Sequence, residues 1–135
     1  MKKLRTKFIT DPVFRENFWF CVGDIDEFIK FVKTKCDYEV EKINSDGKTV
    51  IAFDENADEF HFLWLEKNNP SVLIHELSHI CFESLVGSGI NHTIETDEVY
   101  AYYLAWMYEE CNNFLNAKKK ENTRKVKKRS SKISK

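Results

Sequence analysis

Residues 68–87 read NNPSVLIHELSHICFESLVG, and the reading of this stretch decides the fold. Asn69 suits the N-cap of a helix, Pro70 its first position, and Gly87 the residue just past its end. Between these marks stand His75, Glu76 and His79 in the order H-E-x-x-H. Residues four apart share one helical face, so both imidazoles aim at a common point. Two neutral imidazoles at that spacing can hold zinc, and the intervening carboxylate can reach a water beside it.

Working upstream, NFWFCVGDIDEFIKFVKTKC (17–36) changes character at Gly23. An aromatic, strand-like run precedes the glycine; after it Ile25, Phe28, Ile29 and Val32 recur at helical spacing, with Asp24 as N-cap. YEVEKIN (38–44) and KTVIAF (48–53) flank Ser45-Asp46-Gly47, which predicts a β-hairpin. EFHFLWL (59–65) follows a polar break as a third strand of that group, with Phe60, Phe62 and Trp64 on one face and Glu59, His61, Leu63 and Leu65 on the other. His61 reads as half-exposed. Phe28, Phe31, Trp64, Tyr103 and Trp106 read as packing residues. Downstream, a second long helix is expected from about Thr96 to Asn116. The order strand, helix, three strands, helix, helix predicts an α+β domain with a small antiparallel sheet and the H-E-x-x-H helix packed against a C-terminal helix.

The chain has 135 residues, 42% of them apolar, enough for one core and too few for two ordinary domains. Its net charge of -1 hides a division. Residues 118–135 hold ten Lys or Arg against Glu121 alone, leaving eleven of the 21 basic and twenty-one of the 22 acidic residues to positions 1–117. With only Val126 and Ile133 as sizeable apolar residues, 118–135 is expected to be a disordered basic tail on a domain spanning 1–117. Such a tail can make weak nucleic-acid contacts. No run approaches bilayer length and no leader pattern opens the chain, so a cytoplasmic protein is expected, without a membrane partner. Cys21, Cys36, Cys81 and Cys111 have neither metal-knuckle nor dense disulfide spacing and read as buried, reduced thiols.

A catalytic zinc has three protein ligands and one open position. NHTIETDEVYAYYLAW offers His92, Glu95, Asp97 and Glu98 for the third. Glu98 is favoured if it shares a helical stripe with Ala101, Tyr102 and Ala105, because two alanines would let that helix approach His75 and His79 closely. Tyr102 and His92 are candidate hydrogen-bond donors to a developing oxyanion.

From VLIHELSHICFESL through GSGINHTIETDEVYAYYLAWMYEE, and more weakly over residues 17–115, the chain resembles small zinc metallopeptidase-like proteins of phages and prophages. That resemblance implies a gluzincin-like site in which a glutamate on the second helix, here Glu98, completes the ligand set. Leu85 stands six residues after His79, where a metzincin has its third histidine. The expected function is a zinc-dependent metallopeptidase in which Glu76 is the general base toward water attacking a peptide bond. The EFHFLWL strand would align an extended peptide by β-addition. So short a chain leaves little material to wall a cleft, so a protein partner is expected to complete it.

Overall fold

The computed structural model describes residues 3–14, 16–42 and 44–133, with side chains described as far as residue 117. The elements run β1 (Arg5–Thr10), β2 (Asn17–Val22), α1 (Ile25–Cys36), β3 (Gly47–Phe53), β4 (Glu59–Leu65), α2 (Pro70–Gly87) and α3 (Asp97–Ile133). The expectation of a separate tail over 118–135 falls on residues whose side chains lie outside the described ones.

The class is α+β. The four strands lie in the order β1-β2-β4-β3, which leaves β1 and β3 as the edges. The sheet is mixed rather than antiparallel: β1 with β2 and β3 with β4 run antiparallel, but β2 and β4 run parallel, with Trp19 opposite Phe62 and Val22 opposite Leu65. A parallel neighbour needs a crossover connection, which the segment containing α1 provides.

Strand β4 shows how the layers arise. Its alternation sends Phe62 and Trp64 into one apolar cluster with Phe28, Val32 and Cys36 of α1. Leu63 and Leu65 enter another, with Leu73, Leu77, Ile80 and Leu85 of α2 and Tyr100, Tyr103 and Met107 of α3. The sheet is therefore covered by α1 on one face and by the α2–α3 pair on the other. Phe28 stacks on Trp64 with ring centroids 5.9 Å apart, while Trp106 and Phe31 are half-buried. The four cysteines are buried free thiols. Burial pushes the Cys21 thiol up to about 12 and Cys81 up to about 11, and raises Cys111 further still.

Local chemistry explains the helix boundaries. Asp24 caps α1, its side chain accepting from the backbone N–H groups of Asp26 and Glu27. Asn69 caps α2 by accepting from Val72, with Pro70 in the first turn. The end of α2 differs from the sequence expectation. Gly87 is still helical, and the left-handed residue is Gly89 at φ +82°. Ile90 N–H bonds to Leu85 O at 2.8 Å and Gly89 N–H to Val86 O at 2.9 Å, the paired bonds of a Schellman motif.

Two strand expectations are corrected. Tyr38–Lys42 form no strand; there Lys33 pairs with Glu39 and Lys42 with Asp26, holding the connection against α1. The hairpin instead joins β3 to β4 through Asp54, whose Oδ1 accepts from Asn56 and Asp58 N–H. The additional strand is β1, fastened to α3 where Arg5 Nη2 donates to Phe114 O at 2.7 Å. His61 is buried rather than half-exposed, with Nε2 3.0 Å from Glu59 Oε1. Among the described residues no helix is long and apolar enough to cross a membrane.

Gly23 turns the chain from β2 into α1 at φ +145°, and a Cβ there would meet Lys3 O at 2.7 Å. Both the backbone conformation and the space exclude a side chain. Gly23→Ala is expected to destabilise the fold by about 3 kcal/mol, measured as a shift of the urea midpoint with unchanged slope. An undiminished midpoint would show that the N-terminal segment yields freely.

Candidate metal centre

Helix α2 presents His75 and His79 one turn apart, both exposed. Their Nε2 atoms stand 3.4 Å apart and their ring planes cross at 81°. Two nitrogens each about 2.05 Å from a tetrahedral metal are separated by roughly 3.3 Å. The pair therefore fits two corners of a zinc site, whereas 3.4 Å is long for a hydrogen bond between the rings.

Glu76 leaves the same turn in another direction. One residue past His75 is about 100° around the helix, and Glu76 is turned against β3, where it is 8% exposed. Thr49 of β3 meets it: the Thr49 hydroxyl is 2.6 Å from Glu76 Oε2 and 3.2 Å from Glu76 O. A buried carboxylate needs such a donor. Gly47 permits this approach of β3 to α2, since a Cβ there would stand 2.5 Å from Val72 Cγ1. Between the two elements lies an open groove of about 430 Å³, lined from β3 by Thr49 and Ile51 and from α2 by Glu76, His79 and Glu83.

The strand beside this groove is β3. β4, expected to align an extended peptide, is paired on both sides and has no free edge. That expectation is corrected: the hydrogen-bonding edge next to the histidines belongs to Gly47–Phe53.

The downstream residues are placed differently from the stripe expected of them. α3 packs through Tyr100, Tyr103, Met107, Cys111 and Leu115, so Glu98, Ala101, Tyr102 and Ala105 are exposed. The packing argument for close approach by the two alanines therefore does not hold. Among the described residues, no group of three His, Cys, Asp or Glu side chains is gathered closely enough to hold a metal ion. The structure brings His75 and His79 together but does not bring Glu98 into a three-residue cluster with them.

Of the other loop residues, His92 Nε2 is 3.0 Å from Asp97 Oδ1, and its ring packs on Tyr100 and Phe82. Glu95 is exposed, and its own backbone N–H and the Thr93 hydroxyl hold its carboxyl below the usual range. Tyr102, 73% exposed, lines a separate apolar cavity of about 580 Å³ with Val13, Phe14 and Trp106; neither histidine lines it. The sequence reading did not identify Thr49 or Glu83. Glu83 was findable, since it continues the 75, 79, 83 stripe at i+4 spacing. Thr49, 27 residues before Glu76, carries no local signal.

Chemically, the arrangement offers a metal two exposed imidazoles, with a carboxylate on the adjoining wall of an open groove and, among the described residues, a free strand edge along it. No family model, curated protein or solved structure matches the chain.

Proposed function

We propose that the chain is a zincin-like, zinc-dependent metallopeptidase. The observation that carries this reading is the convergence of His75 and His79 Nε2 at 3.4 Å, with Glu76 and His79 lining one groove. His75 and His79 would hold the zinc, which when bound supplies a Lewis acid for a carbonyl oxygen and for water. Glu76 takes a proton from the attacking water at a carboxylate oxygen and returns it to the departing amine. β3 offers its unpaired backbone edge to an extended peptide, which lies along the groove toward Glu76 and His79.

Glu98 is the third ligand in this reading, on the strength of the resemblance. It stands in the first turn of α3 and, among the described residues, is not gathered with the histidines, so ligation requires that turn to close toward them. The groove is open, and a protein substrate or a partner seated over it would exclude water from the reaction.

The test is metal analysis joined to a search for cleavage. Purified protein is expected to carry one zinc per chain and to generate new peptide termini in bacterial cell extracts. Removing zinc with a chelator should stop the cleavage, and adding it back should restore it. Bound zinc without new termini in any extract would turn the reading toward a binding protein with a structural metal.

A further inference from the structure

We propose that Thr49 is the positioning residue of Glu76: its hydroxyl holds the carboxylate in the orientation from which it serves the groove. This rests on the hydrolase reading above. Glu76 stands about 100° around α2 from His75 and about 60° from His79, so its side chain leaves the helix away from the line joining the histidines. Several rotatable bonds separate its carboxylate from the backbone, and an unrestrained side chain would spread over many orientations.

Thr49 removes that freedom. Its Oγ1 lies 2.6 Å from Oε2, a short charge-assisted hydrogen bond, and this leaves Oε1 as the oxygen without the threonine contact. The donor is itself fixed. Thr49 pairs with Leu63 in the β3–β4 ladder, its β-branched side chain has few rotamers, and its hydroxyl also lies 3.2 Å from Glu76 O. The orientation of the carboxylate is thus set by the strand that borders the groove.

Two readouts test this, one of which needs neither metal nor substrate. In metal-free protein, Thr49→Val should lower Tm by about 5 °C in the native background and by much less in the Glu76→Met background, because the bond is already gone there. With zinc bound and fluorescein-labelled casein as substrate, Thr49→Val should lower kcat about ten- to hundredfold with an apparent KM within about threefold. Thr49→Ser, which keeps the donor, should restore most of the rate. Zinc content should be one per chain throughout.

Additive Tm changes would overturn the proposal, as would a Thr49→Val enzyme with native or raised kcat. A zinc-loaded native protein that cleaves neither casein nor extract proteins would overturn the hydrolase reading instead. The Tm cycle would still decide whether Thr49 holds Glu76.

Discussion

Glu76→Gln is expected to cut hydrolysis by at least about a hundredfold while leaving zinc and fold in place. Glutamine has nearly the shape of glutamate, and its amide oxygen can accept the Thr49 hydrogen bond that Oε2 accepts in the native chain. The buried position therefore stays satisfied, and Tm should move by no more than a few degrees. What disappears is basicity. General-base catalysis contributes about a hundred- to ten-thousandfold, so the cleavage rate should fall by at least about a hundredfold at unchanged zinc content. Rates measured on labelled casein or on a cleaved extract protein, with elemental analysis of the same samples, check this. Cleavage by the Gln variant at the native rate would remove Glu76 from the chemistry.

Removing either histidine is expected to act on the metal itself. His75 and His79 supply the two converging nitrogens, and a single imidazole holds zinc poorly. His75→Ala and His79→Ala should each weaken zinc binding by at least about a hundredfold in competition with a chromophoric chelator, exceeding the effect typical of outer-shell changes. Both side chains are exposed, so thermal stability of the metal-free protein should scarcely change. Glu98→Ala should weaken binding as well, whereas Glu95→Ala should not, since the Glu95 carboxylate is already engaged by its own N–H and by Thr93. The opposite order would assign the third ligand to the loop before α3.

What was legible in the sequence is what neighbouring residues determine. Asp24 and the Asn69-Pro70 pair mark helix starts because capping acts over two or three residues, and the paired histidines of α2 follow from helical pitch alone. The faces of β4 followed from alternation. Features set by distant partners were not legible. Two turn-forming stretches border KTVIAF, and tertiary contact selected the later one for the hairpin while ion pairs kept Glu39 and Lys42 beside α1. β1 was hidden because Arg5 and Lys7 look like solvent residues, yet they reach α3 at Phe114 and Glu110. That Glu98 is exposed and not gathered with the histidines was hidden too. It depends on which α3 stripe meets α2, and Tyr100, Tyr103 and Met107 outweigh two alanines in apolar area.

The cysteines divide evenly between the two sides of the sheet. Cys21 and Cys36 lie in the layer under α1, and Cys81 and Cys111 in the layer under α2 and α3. A thiol reagent can reach each pair only when its own layer breathes. Pulse labelling followed by peptide mapping would therefore time the two layers separately within one unmodified molecule. It would reveal whether the histidine-bearing half loosens while the half beneath α1 stays shut, and whether zinc slows the first clock without touching the second.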